Sequence, residues 1–308
     1  MSDAKDSAPQ LIRHLPVLAN EVLELLAPRT GETWVDCTVG GGGHSRLIAE
    51  CLGDAGRLIG LDRDKAMLEL ARPILANLPV TLVQASFDQL DAVLARLKVD
   101  AVNGVLADLG VSSDQLDDPN RGMSFQKPGP LDMRLDQTSG PTAADLLERL
   151  SEWEIADLLY RYAEERHSRR IAKRIVEARK VEPIRTTGQL AELVRGCVPR
   201  ERRGPGKSFD PATRTFQGLR IAVNDELAAL EALLVKLPKL VRVGGRVGII
   251  SFHSLEDRQV KQAFRDAAVW KTVTKKPVTA GDEEVRRNPR SRSAKLRVSM
   301  RINAAGPS

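Results

Sequence analysis

The stretch that decides the fold is Thr33-Trp34-Val35-Asp36-Cys37-Thr38-Val39-Gly40-Gly41-Gly42-Gly43-His44-Ser45. A short apolar run ends on an acid, four glycines follow, and residues 45–52 read as a helix. A strand, a tight turn and a helix N-terminus in one piece form a ligand cradle. Backbone without side chains can approach a ligand closely, and the first N–H groups of a helix point at it. Outward from the loop the rhythm repeats. Residues 57–62, 80–84 and 102–108 read as strands, and 65–76 and 90–97 as helices between them. Upstream, residues 14–27 carry an apolar stripe at helical spacing (Val17, Leu18, Val22, Leu25, Leu26). Strands alternating with helices predict an α/β fold with a parallel sheet covered on both faces.

After Asp108 the rhythm stops. The next convincing strand is 245–252, and a parallel crossover needs only about a dozen residues. Residues 213–237 read as one long amphipathic helix that can serve as the crossover. The chain then divides into a first part of the sheet domain (1–113), an inserted helical substrate-recognition domain (114–210) and a second part of the sheet domain (211–308). The insert leaves from the carboxyl end of the fourth strand, the edge where open α/β sheets bind ligands. Its helices are expected from Thr142, from the capping box of Ser151 and Glu154, over 164–179 and over 189–197. Past the 245–252 strand, Ser254 and Asp257 have capping-box spacing, and a helix to 267, a strand at 269–274 and a charged loop over 275–293 follow. Leu296, Val298, Met300 and Ile302 alternate with Arg297, Ser299 and Arg301, which predicts a half-buried antiparallel strand at the sheet edge.

The chain has 308 residues and a net charge of +6. Its basic residues cluster: seven between Arg286 and Arg301 with no acid, a group at Arg200, Arg202, Arg203 and Lys207, and a helix over 165–180. Three clusters point to a polyanionic partner. Aromatic residues are only 4% of the chain, so recognition by successive base stacking is not expected and phosphate contacts should dominate. Cys37, Cys51 and Cys197 form no CxxC spacing, which argues against a disulfide framework or a zinc site; no metal is expected. The polar N-terminus lacks an export signal, and no run reaches the ~20 apolar residues of a membrane span. A soluble cytoplasmic protein without membrane attachment, monomer or homodimer, is the expectation.

Acids close three successive strands. Asp36 can hold a cationic ligand or order the loop. Asp62 stands at the end of the second strand, where an acid accepts hydrogen bonds from ribose hydroxyls. Phe87 and Asp88 follow the third strand, where an adenine could be clamped. A cationic adenosyl sulfonium suits this acidic pocket better than a dinucleotide, whose pyrophosphate Asp36 would repel, so S-adenosyl-L-methionine is favoured over a nicotinamide cofactor. At the end of the fourth strand, Asp108 and the backbone through Ser112 either cap the strand or position an acceptor amine or hydroxyl. His253, at the tip of the next strand, either contacts substrate or simply opens a helix. Asp108, Ser112 and His253 are therefore the catalytic candidates.

These motifs together resemble the ribosomal RNA small subunit methyltransferase H family. The resemblance rests on His14-Leu15-Pro16-Val17-Leu18, the loop from Asp36 to Ser45, Leu61-Asp62-Arg63-Asp64, Asp108-Leu109-Gly110-Val111-Ser112-Ser113, Gln115-Leu116-Asp117-Asp118 and Arg121-Gly122. It continues through 129–134, 162–166, 211–217, 251–258 and 288–297. It implies a Rossmann-like class I S-adenosylmethionine-dependent methyltransferase sheet with an inserted all-helical domain. It also implies methylation of N4 of a cytidine in the decoding region of 16S rRNA within the small ribosomal subunit. By the same resemblance Gly42, Gly43, His44, Asp62, Phe87, Asp108 and Gln115 line the cofactor site; His44 and Gln115 enter on that ground alone. A non-catalytic RNA-binding assembly factor and a nicotinamide-dependent oxidoreductase are the alternatives.

Overall fold

A computed structural model describes residues 16–197 and 210–302, together with the backbone of 202–203 and 207–208. In chain order the elements are α1 (Ala19–Leu26), β1 (Thr33–Asp36), α2 (Gly43–Leu52), β2 (Arg57–Asp62), α3 (Lys65–Leu75), β3 (Val80–Gln84), α4 (Leu90–Arg96) and β4 (Val102–Asp108). Then come α5 (Ser113–Asp117), α6 (Ala143–Arg149), α7 (Glu152–Ala163), α8 (Ser168–Arg179), α9 (Thr187–Cys197), β5 (Arg202–Arg203), β6 (Lys207–Ser208), α10 (Ala212–Asn224) and α11 (Glu226–Leu240). The chain closes with β7 (Val241–Ser251), α12 (Ser254–Ala263), β8 (Trp270–Thr272), α13 (Asp282–Arg287) and β9 (Lys295–Arg301).

The chain falls into two compact units, residues 1–110 with 230–308, and residues 111–229. In the first, seven strands form one sheet in the order β3-β2-β1-β4-β7-β9-β8. The first five of these run parallel, whereas β9 is antiparallel to both β7 and β8. Alternate residues feed opposite faces, as the period-two geometry of a strand requires. Val35, Ile59 and Val105 join Leu90, Leu94, Leu233 and Leu237 on one side. Trp34, Leu58 and Leu106 join Leu26, Ile48 and Leu52 on the other. The chain goes to β2 on one side of β1 and to β4 on the other. The carboxyl ends of β1 and β4 therefore bound a topological switch point, the crevice where such sheets bind ligands.

The second unit has its own core, with Leu147, Ile155, Leu159, Ile171, Ile175, Leu190, Val194, Phe216 and Leu219 buried together. It is wider than the 114–210 expected of the insert, because α10 packs here through Ala212, Phe216 and Leu219. The single helix expected over 213–237 is two helices. Asp225 sits between them in the left-handed region (φ 50°), and its N–H closes α10 on the carbonyls of Ala222 and Ile221. The capping box of Ser151 and Glu154 is formed, and Thr142 caps α6 with Asp145.

Three further expectations need correction. The helix expected over 14–27 begins only at Ala19, because Leu18 adopts φ 55°; His14 lies outside the described residues. The charged loop expected over 275–293 contains α13, with acids in its first turn and Arg286 and Arg287 in its last, the order the helix dipole favours. Strand β9 lies inside the sheet and not at its edge: Arg297 is 9% exposed, Ser299 0% and Arg301 2%. Arg297 Nε donates to Asp257 Oδ1 (2.7 Å), and Arg301 donates to the Pro238 carbonyl. Two members of the C-terminal basic cluster are therefore structural. So is Arg179 of α8, which donates to the carbonyls of Leu147 and Leu150. Arg166, Arg169, Arg170, Lys173 and Arg174 remain exposed on or just before α8. The side chains of the cluster from Arg200 to Lys207 lie outside the described residues.

Candidate functional site

The glycine loop leaves β1 and enters α2 held by two carboxylates, Asp36 and Asp62, with a third, Asp108, beside it. Asp36 is fully buried. The Thr38 N–H donates to its Oδ1 (3.0 Å) and the Ser45 hydroxyl to its Oδ2 (2.5 Å). Of its two sequence readings, ordering the loop is the one realised. Burial pushes its pKa up, against the pull of Ser45 and His44. Asp62, across the loop, accepts the Gly40 N–H on Oδ2 and the Asp64 N–H on Oδ1, both at 2.9 Å. Burial raises its pKa to about 6 although both backbone donors oppose the shift. Each oxygen of a carboxylate can accept again, so these bonds leave Asp62 able to receive a diol.

The glycines divide by role. Gly42 has φ 87°, and a Cβ there would lie 3.2 Å from Ala71 Cβ. A Cβ on Gly43 would lie 3.2 Å from the ring of Pro16. These two let the turn pack inward. Cβ atoms built on Gly40 or Gly41 meet no described residue within 4 Å, so this half of the loop presents bare backbone clear of the rest of the described fold.

His44 and Asp108 come together from α2 and β4. His44 is 6% exposed. Its Nε2 lies 2.9 Å from the Val17 carbonyl, which can only accept, so Nε2 carries a proton. Its Nδ1 lies 3.5 Å from Asp108 Oδ2. Burial opposes protonation of the ring, but the Asp108 and Asp36 carboxylates outweigh it and the pKa is raised on balance. The Asp108 N–H donates to Thr38 Oγ1 (2.6 Å), whereas Asp108 Oδ1 is buried and accepts no hydrogen bond among the described residues. A buried carboxylate oxygen without a donor is an acceptor ready for a ligand cation or N–H.

The remaining candidates are placed differently. Phe87 opens a short 3₁₀ turn after β3, half-buried against the core. Ser112 and Gln115 belong to the second unit and cap α5 reciprocally: Ser112 N–H donates to Gln115 Oε1 (2.9 Å) and Gln115 N–H to Ser112 Oγ (3.1 Å). His253 is itself the N-cap of α12, paired with Glu256, one residue earlier than the Ser254–Asp257 box expected. Its Nε2 lies 3.1 Å from Glu256 Oε1. Two functional contacts were not foreseen, Thr38 and Ser45. Thr38 stands two residues after Asp36, the spacing of an Asx turn, which is the signal that could have found it.

Strand order 3-2-1-4 with a glycine loop and strand-end acids at the switch point defines a Rossmann-like α/β domain. The sequence matches the MraW methylase family over residues 11–302, and the chain belongs to that family. Relatives named Ribosomal RNA small subunit methyltransferase H include one from Sorangium cellulosum, 52% identical over 96% of this chain and 93% of the relative. One from Deinococcus radiodurans is 48% identical over 97% and 93%, and one from a Geobacter species is 46% identical over 94% and 98%.

Proposed function

We propose that this protein transfers a methyl group from S-adenosyl-L-methionine to N4 of a cytidine in the decoding region of 16S rRNA, with the small ribosomal subunit as substrate. The observation that carries the reading is the open acceptor Asp108 Oδ1 beside His44, next to a loop whose bare backbone and Asp62 suit an adenosyl ligand. Family membership and the names of the relatives support small-subunit ribosomal RNA as the substrate class; the N4 atom and the decoding region rest on the family resemblance. When bound, the cofactor supplies an electrophilic methyl group on a sulfonium. Asp62 takes the ribose hydroxyls, Phe87 flanks the adenine, and Gly42, Gly43 and His44 form the wall beside them; Gln115 is a further candidate on the family resemblance. Three acids around the loop favour a cation over a pyrophosphate.

The exocyclic amine of cytosine is a poor nucleophile, because its lone pair is delocalised into the ring. The protein's task is to hold it in line with the methyl–sulfur bond at about 3–3.5 Å. Asp108 Oδ1, or a carbonyl between Leu109 and Ser112, restrains the amine N–H and localises the lone pair. His253, held in its capping role, has a substrate contact at most. The target base has to leave its stack to reach such a pocket. Methyl incorporation into small subunits from a strain lacking the enzyme tests the proposal. Transfer to N4 of one decoding-region cytidine is expected; no incorporation, or incorporation at another atom, refutes it. Calorimetry with S-adenosylhomocysteine against NADH separates it from an oxidoreductase.

A further inference from the structure

One peptide group joins the two ends of the first unit's sequence to the candidate cofactor site. Its carbonyl, on Val17, accepts from His44 Nε2 at 2.9 Å. Its N–H, on Leu18, donates to Glu284 Oε1 at 2.8 Å. A trans peptide points its O and its H in opposite directions, so His44 and Glu284 grip the same planar unit from opposite sides. His44 Nδ1 then faces Asp108 Oδ2 at 3.5 Å. With the ring protonated on both nitrogens the result is a continuous line: Glu284 carboxylate, peptide 17–18, His44 imidazolium and, as an ion pair, the Asp108 carboxylate. Hydrogen bonds in series polarise one another, and an anionic acceptor at the N–H end makes the carbonyl a stronger acceptor for the ring.

The grip has a reason. Leu18 is fully buried and held at φ 55°, a backbone conformation that a leucine adopts only under constraint. No side chain caps the N-terminus of α1. The Glu284 bond fixes this peptide, and Pro16 beside it packs within 3.2 Å of where a Gly43 Cβ would stand. Glu284 itself is set by α13, the helix in what reads from sequence as a charged loop.

We propose that Glu284 is a positioning residue for the cofactor site, acting through the 17–18 peptide to fix the ring orientation of His44, and so the placement of its Nδ1 against Asp108. The inference rests on the loop being the S-adenosylmethionine site. Its test uses the full chain, with S-adenosylhomocysteine calorimetry and ¹⁵N spectra of the histidine rings, of which the chain has four. Glu284→Ala removes the acceptor and Glu284→Asp shortens it; Glu284→Gln keeps a neutral oxygen for the Leu18 N–H. The expected result is an affinity loss of about tenfold in the Ala and Asp variants, the scale of one charge-assisted hydrogen bond. It comes with shifted His44 ring-nitrogen signals, and with both effects restored in part by Gln, which keeps the hydrogen bond without its charge. Should the Ala variant fail to fold, Asp against Gln carries the comparison. If wild type binds and the Asp variant binds equally well, the proposal is overturned. Affinity loss with unshifted His44 signals, or Gln as damaging as Asp, overturns it too. Failure of the wild type to bind S-adenosylhomocysteine overturns the cofactor reading itself.

Discussion

Gly42→Ala tests whether the loop is built as described. Gly42 precedes α2 with φ 87°, and an L residue held there costs roughly 1–2 kcal/mol. The added methyl would also stand 3.2 Å from Ala71 Cβ and 3.5 Å from Ala71 Cα. Ala71 is fully buried in α3 between Leu68 and Leu75, so it cannot swing away, and overpacking of this kind adds about 1 kcal/mol or more. The sum is a loss of about 2–3 kcal/mol. Gly41→Ala is the matched control one residue away: no atom lies within 4 Å and its φ is not in the left-handed region. It should change stability by less than ~0.5 kcal/mol. Urea unfolding of both variants, followed by tryptophan fluorescence and circular dichroism, measures the difference. Equal midpoints for Gly42→Ala and wild type would refute the strain and packing argument, and a destabilised Gly41→Ala would refute the division of the loop into a packed half and an open half.

Asp62 predicts a pH dependence. Its folded pKa, about 6, lies above the ordinary 3.8, so the folded protein takes up the proton first; this group's contribution to fold stability is therefore most favourable below pH 4 and diminishes as pH rises towards 6. Ligand binding runs the other way: affinity for S-adenosylhomocysteine should fall as pH drops through 6, where the carboxylate loses acceptor capacity, and calorimetry from pH 5 to 8 should show that step in wild type but not in Asp62→Asn. Removing Asp257 leaves Arg297 buried without its main partner, which should cost about 3 kcal/mol in a denaturant melt. Burial alone would raise the Asp257 pKa, but Arg297 and Lys295 outweigh it and lower it, so its stabilisation is present at neutral pH and lost as pH falls through the acid range. Replacing exposed Arg169 and Arg170 with alanine should reduce the salt slope of RNA affinity by roughly 0.9 for each duplex phosphate no longer neutralised; an unchanged slope would take α8 out of the RNA surface.

The local signals were the legible ones. Strands β2, β3 and β4 follow from apolar runs of the right length, and β1 with its loop from four glycines between an acid and a helix. The capping box at Ser151 follows from hydroxyl and acid three residues apart, because that motif closes within one turn. What was not legible depends on partners distant in the chain. Alternation in β9 is the same for an edge strand and for an internal one whose polar residues are buried. Only the placement of β8 beyond it and of Asp257 against it turns Arg297 from an RNA candidate into a structural residue. The split of the long helix at Asp225 is equally silent, since both halves keep a helical stripe and only the second unit's core claims Phe216 and Leu219. At the site, the acids could be read as ligands but not ranked. Asp36 is fully buried with both its oxygens on the loop, whereas Asp62 is partly exposed and Asp108 keeps one oxygen without a donor among the described residues. The difference lies in Thr38 and Ser45, side chains whose hydrogen bonds exist only once the turn is closed. That ranking moves the proposed cationic-ligand role from the acid in front of the glycines to the acid at the end of β4, beside His44 and the 17–18 peptide that we propose positions it.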